Sequence, residues 1–285
     1  MRSDHLISAE ALKADLENPD LAILEATFFL PAMGRNAGEE FTTAHITGAQ
    51  FYDIDAIADT ASNLPHMLPD KDQFSEQIQK LGINKDSHIV VYDRSPFLSA
   101  ARCWWMFRYF GHSHIHVLDG GYDAWLANGG AIETGARAIP QEGDFEAGEP
   151  VGTGYINLQS LRSHIADNAF PQILDARPRP RFEGTADEPR AGLPSGHMRG
   201  ACNLPIMDIL TDNGYLKAEH ALKQLFTETK IDLTQPIITT CGSGVTAAGL
   251  TLALATLGID AVRLYDGSWT EWASQPDADI VSGSA

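Results

Sequence analysis

His88-Ile89-Val90-Val91-Tyr92-Asp93 and Pro236-Ile237-Ile238-Thr239-Thr240-Cys241 are two copies of one pattern, an apolar, β-branched run that stops at a single polar side chain. Each copy leads into a helical stretch, over 100–110 in the first and from Ala247 in the second. Each then reaches another apolar run closed by Asp-Gly: Ile115-His116-Val117-Leu118-Asp119-Gly120 and Ala261-Val262-Arg263-Leu264-Tyr265-Asp266-Gly267. The closing aspartates lie at matching offsets, 119 − 93 = 26 and 266 − 241 = 25. Upstream, Ala22-Ile23-Leu24-Glu25-Ala26 matches Gln172-Ile173-Leu174-Asp175-Ala176, and Ala44-His45-Ile46-Thr47-Gly48-Ala49 matches Ser195-Gly196-His197-Met198-Arg199-Gly200-Ala201. Short apolar runs alternating with helices predict an α/β fold, a tandem pair of domains each built on a parallel sheet with helices on both faces. The expected division is an N-terminal domain over 1–137, a linker over 138–154 rich in Gly, Pro and acidic residues, and a C-terminal domain over 155–285.

The two copies differ where chemistry would sit. The second places Cys241-Gly242-Ser243-Gly244-Val245-Thr246 between strand and helix, and backbone N–H groups at a helix N-terminus stabilise an anion there. Gly242 and Gly244 let the backbone curl around the sulfur, and a thiol so placed is expected to act as a nucleophile. The first copy has Asp93-Arg94-Ser95-Pro96 instead, which cannot do thiol chemistry, so the N-terminal copy is expected to be catalytically silent and to close the cleft over Cys241.

Composition narrows the function classes. The 285 residues are 44% hydrophobic and carry a formal net charge of −18, which supports a folded core and excludes nucleic acid or an anionic membrane surface as a general partner. No apolar segment approaches the ~20 residues that span a bilayer, and the N-terminus lacks the apolar core of a secretory signal. Three cysteines, Cys103, Cys202 and Cys241, show no metal-ligand spacing, so a reducing, cytoplasmic setting is expected.

With these residues in view, the chain resembles the two-domain rhodanese-like sulfurtransferases. The resemblance is carried by the tandem repeat, the Cys241-Gly242-Ser243-Gly244-Val245-Thr246-Ala247 loop, Tyr265-Asp266-Gly267-Ser268-Trp269, and Arg181-Phe182-Glu183-Gly184 through Glu188-Pro189-Arg190. It implies that Cys241 takes sulfur from a small-molecule donor as a persulfide and passes it to a thiol, a thioredoxin-like dithiol or cyanide, with no metal or organic cofactor. It implies that Arg181 and Arg190 clamp the donor's carboxylate, as guanidinium geometry suits. Backbone N–H groups over Gly242, Gly244, Val245 and Thr246 would stabilise thiolate and persulfide. Relatives specialised for thiosulfate place basic residues directly after the cysteine. The neutral Gly242-Ser243 pair therefore favours a keto acid donor such as 3-mercaptopyruvate, with thiosulfate as the alternative. Ala247 stands where a phosphatase-type loop requires Arg. A partner-docking module is the rival from another class, and it has no use for a polarised thiol.

The resemblance also implies a Ser-His-Asp relay, with Ser243 and, from the opposite domain, His45. His45 shares its repeat position with His197, so a structural role stands equally beside the relay. No Asp precedes His45 at the expected place, leaving Glu40 or Asp53 as the acid, or no triad. Cys103 and Cys202 are expected to pack as small apolar residues. Asp266 is expected to cap the following turn, His112, His114 and His116 to lie in a solvated loop, and Trp104 and Trp105 to pack in the core or between domains.

Overall fold

The computed structural model describes residues 1–135, 141–150, 154–166 and 172–284. The repeat folds into two five-stranded parallel sheets. In the first, β1 (Leu6–Ile7), β2 (Leu21–Glu25), β3 (Gln50–Phe51), β4 (His88–Tyr92) and β5 (Ile115–Leu118) lie in the order β1-β5-β4-β2-β3. In the second, β6 (Tyr155–Ile156), β7 (Gln172–Asp175), β8 (Cys202–Asn203), β9 (Ile237–Thr240) and β10 (Val262–Tyr265) lie in the equivalent order β6-β10-β9-β7-β8. Strands β4 and β9 are central and wholly buried, as continuous apolar or β-branched runs require in a sheet covered on both faces. Asp93 and Cys241 follow their C-terminal ends, the edge at which parallel sheets present sites.

Two helices join the halves. Helix α1 (Ala100–Tyr109) packs on α2 (Val245–Thr256), which has only one residue not buried and no polar face, the pattern of a helix enclosed on all sides. One continuous apolar cluster runs from Phe107 and Trp105 through Leu98 to Leu250 and Leu254. Trp104 and Trp105 are buried, and Trp105 Nε1 donates to the Gly154 carbonyl at 3.1 Å.

Asp266 corrects the expectation of a turn cap, and Asp119 behaves likewise, because each crosses to the other half. Asp119 Oδ1 accepts the Leu216 N–H at 2.9 Å, and Asp266 Oδ2 accepts the Leu68 N–H at 2.6 Å. This reciprocal clasp explains why the aspartate recurs at the same offset in both copies.

Part of the expected linker, 138–140 and 151–153, lies outside the described residues. The described part does not run free. Phe145 is buried against Phe74 and Phe107, and Phe145 N–H bonds the Ile83 carbonyl at 3.1 Å. One aromatic anchors this segment, and that leaves no periodicity for sequence patterning to detect. Of the histidine run, His112 and His114 lie in a loop and His114 is exposed, as expected of a solvated loop, though His114 stacks on His88 at 4.3 Å. His116 departs from it, half-buried in β5 with its Nδ1 3.0 Å from His88 Nε2, whose Nδ1 lies 2.9 Å from Asp15.

Candidate active site

Thr240 ends β9, and α2 begins at Val245, so the four residues between must reverse the chain within one turn. Gly244 makes this possible at φ +82, and its N–H donates to Cys241 Sγ at 3.1 Å. Ser268 supports the loop from below: its Oγ accepts the N–H groups of Cys241 at 3.2 Å and Gly244 at 3.1 Å and donates to the Tyr265 carbonyl at 2.8 Å. Ser268 adopts φ +50 where the N-terminal copy has Gly121 at φ +57, so a side chain is held in a strained backbone at this point.

Cys241 is 2% exposed at the base of a pocket of about 120 Å³. Gly242, Ser243, Val245, Thr246, Arg181 and Arg190 line it, together with Phe28, Leu30 and Phe97 of the N-terminal half. Larger clefts of about 860 and 690 Å³ lie elsewhere and hold none of the three cysteines. The sequence therefore identified the loop, Ser243 and both arginines as one cluster, and the N-terminal half lines part of the cleft.

The two guanidinium groups are differently committed. Both lie over Gly242, where an added Cβ would stand 3.1 Å from Arg181 Nη2 and 4.0 Å from Arg190 Nη1. Arg181 is ion-paired with buried Glu188, which Arg177 holds in turn at 2.8 Å. Arg190 has no carboxylate oxygen within 4 Å among the described residues. Burial, and then the charge of Arg181, push its guanidinium below the usual arginine range. An anion entering the pocket relieves that penalty, so Arg190 is the charge left open for a ligand.

His45 is not part of this cluster. Its ring is fully buried, stacked on Phe41 at 4.0 Å, with Nδ1 2.8 Å from the Phe41 carbonyl and Nε2 3.2 Å from Glu133. His197 repeats the arrangement, stacked on Phe182 at 3.8 Å with Nδ1 2.9 Å from the Phe182 carbonyl. The shared repeat position thus marks a structural histidine in both halves. Glu40 is ion-paired with Arg35, and Asp53 accepts the N–H groups of Asp55 and Ala56, so neither supplies an acid to His45.

The histidine beside the pocket lining, though not itself part of it, is His66. Its Nδ1 lies 2.9 Å from Asp55 Oδ1 and its Nε2 3.4 Å from Arg190 Nη2, and its ring meets the pocket residue Phe28 edge-on at 4.8 Å. Contact with His66 holds the Asp55 carboxyl below its usual range. His66 adopts φ +59, and Gly214, its counterpart two residues before the clasp bond, has φ +76. A non-glycine residue in that conformation where the other copy keeps glycine is the signal that could have found it.

Of the other thiols, Cys103 is buried in α1 and Cys202 half-buried; burial pushes both up, which makes them poorer nucleophiles at neutral pH.

Comparison with known proteins gives the same grouping. The rhodanese-like domain family matches residues 8–128 and 157–275. The 3-mercaptopyruvate sulfurtransferase of Escherichia coli (strain K12) is 40% identical over 282 residues, covering 98% of this chain and 99% of that protein. The mitochondrial thiosulfate/3-mercaptopyruvate sulfurtransferase 1 of Arabidopsis thaliana is 39% identical over 299 residues, covering 98% of this chain and 79% of that protein. The crystal structure of SseA from Escherichia coli, described as having the rhodanese fold of 3-mercaptopyruvate sulfotransferases, superposes with a TM-score of 0.84 at 38% identity, over 93% of this chain and 98% of that one. With two matched domains, similarity over nearly the whole length, and a cysteine loop present in the second copy alone, the chain belongs to the two-domain rhodanese-like sulfurtransferases.

Proposed function

We propose that this enzyme moves the sulfur of 3-mercaptopyruvate through a Cys241 persulfide to a thiol, a thioredoxin-like dithiol or cyanide, releasing pyruvate. The observation that carries the reading is the pairing of an enclosed thiol with Arg190, whose guanidinium faces the pocket without a carboxylate partner. The pocket, about 120 Å³ and lined by Phe28, Leu30 and Phe97, suits a three-carbon acid, and the neutral Gly242-Ser243 pair adds no charge for a sulfur oxyanion. On this reading residues 1–137 form a silent domain, 138–154 a connection and 155–285 the catalytic domain, working in a reducing, cytoplasmic compartment.

In the first half-reaction the Cys241 thiolate attacks the donor's thiol sulfur. The S–S bond forms as the donor C–S bond breaks, and the electron pair of that bond passes into the enolate of pyruvate. The proton of the donor thiol moves to the enolate carbon, so persulfide anion and pyruvate are the products. Ser243, beside Cys241, and His66, set between Asp55 and Arg190 at the edge of the pocket, supply the path for that proton. The Gly244 N–H stabilises sulfur anions at the loop. An acceptor thiolate then attacks the outer sulfur and regenerates Cys241.

Steady-state rates with both donors test the assignment. kcat/KM is expected to be higher for 3-mercaptopyruvate than for thiosulfate. Arg190→Ala should raise KM for 3-mercaptopyruvate by about 10–100-fold, the worth of a charge-assisted carboxylate pair, and should alter KM for thiosulfate less. A reversed donor preference would make the enzyme a thiosulfate sulfurtransferase, and equal effects on both donors would remove the carboxylate-clamp role of Arg190.

A further inference from the structure

We infer that Arg102 and Asp266 form a cross-domain tie that fixes the His66 segment and the cysteine loop relative to each other, so that turnover depends on two residues remote from the donor. Arg102 lies on α1 of the silent half, Asp266 follows β10 of the catalytic half, and each is 1% exposed. Arg102 Nη1 donates to Asp266 Oδ1 at 2.5 Å, and Arg102 Nη2 donates to the backbone carbonyl of His66. Asp266 Oδ2 accepts the Leu68 N–H at 2.6 Å. The pair therefore grips the His66 backbone at the residue itself and again two residues on.

The same pair touches the nucleophile's loop. A Cβ on Gly244 would stand 2.8 Å from Asp266 Oδ1 and 3.0 Å from Arg102 Nη1, so carboxylate and guanidinium lie directly beneath the residue whose N–H holds Sγ. Ser268, two residues after Asp266, holds the loop through Oγ. One buried ion pair thus contacts both loops, which come from different halves.

The silent side shows what a purely architectural clasp looks like. Asp119 makes the equivalent bond to Leu216, but its guanidinium partner is Arg2, near the start of the chain and 35% exposed in its side chain. Gly214 there takes the place of His66. Arg2 bonds the Lys217 and Leu216 carbonyls from a short 3-10 helix. On the catalytic side the arginine sits on an α-helix, fully buried, and is bonded to the carbonyl of a histidine in a left-handed backbone. Desolvating such a pair offsets much of its attraction, so its use lies in geometry more than in stability.

The inference rests on the reading of His66 as a proton-transfer group, and a double-mutant cycle on the full chain separates the two. Arg102→Met is expected to lower kcat for 3-mercaptopyruvate by about 10–100-fold, as small misplacements of a reacting group do, with KM within about threefold. In a His66→Gln background the same change should lower kcat by less than about threefold. Arg102→Lys should recover part of kcat, since one ammonium reaches Asp266 without also spanning to the His66 carbonyl. If Arg102→Met does not fold, as judged by circular dichroism, Arg102→Lys and Asp266→Asn carry the cycle. An undiminished effect of the tie variants in the His66→Gln background, or no kcat loss in the His66 wild type, overturns the tie alone. A His66→Gln enzyme with unimpaired kcat overturns both readings.

Discussion

Gly244 meets three demands at once: it turns at φ +82, donates its N–H to Cys241 Sγ, and leaves room for Asp266 below. Gly244→Ala should therefore destabilise the fold by about 1–3 kcal/mol and slow alkylation of Cys241, as thermal melts and iodoacetamide labelling would show; an unchanged labelling rate would separate the loop's shape from its reactivity. His66→Gln should lower kcat by about 10²–10⁴-fold with little change in KM, and stopped-flow pyruvate release checks it. At this scale the sequence was legible where chemistry has a local frame. Strand, paired glycines and helix start surround Cys241, and the copy at Asp93 shows strand and helix without a thiol. His66 lacked such a frame, because its partners Asp55, Arg190 and Arg102 come from three separate stretches of chain. His45 was misplaced for the opposite reason: its repeat position carried meaning, but the meaning was packing on Phe41, as His197 packs on Phe182.

Among the elements, α2 has the most to lose from truncation. Leu250 is fully buried near α1, and Leu250→Ala is expected to cost about 2–5 kcal/mol, measurable as a fall in the urea midpoint with an unchanged slope. Phe145 makes a parallel case in a segment without regular structure. Its ring is 1% exposed, and Phe145→Ala should cost about 3–5 kcal/mol although composition alone reads the stretch as a linker. A loss below about 1 kcal/mol would mean that the segment is peripheral to the core. Alternating strands and helices were readable from periodicity. The clasp through Asp119 and Asp266 was visible only as a recurring letter, because the Leu216 and Leu68 amides that it bonds are backbone groups in the opposite half.

For the whole molecule, histidines held below their ordinary value set the acid limit. Burial pushes His5 down to about 4 and lowers His112, His114 and His116 as well. The unfolded chain then binds more protons than the native one below the ordinary histidine value near 6.5. Stability is present in full above that pH and is lost as pH falls towards about 4. His5 contributes up to about 3 kcal/mol of that loss, so His5→Leu should flatten the dependence of melting temperature on pH between 7 and 4. Asp93 and Glu271, raised by burial, act in the opposite direction, and the His5 variant isolates the histidine contribution. The covalent step gathers residue, loop and domain interface into one event, and mass spectrometry of the enzyme after brief mixing with 3-mercaptopyruvate, without acceptor, reads it directly. The Cys241 peptide should carry one added sulfur atom in step with pyruvate release, and Cys241→Ser should carry none and release no pyruvate. Pyruvate released by the wild type with Cys241 never found as a persulfide would contradict the account.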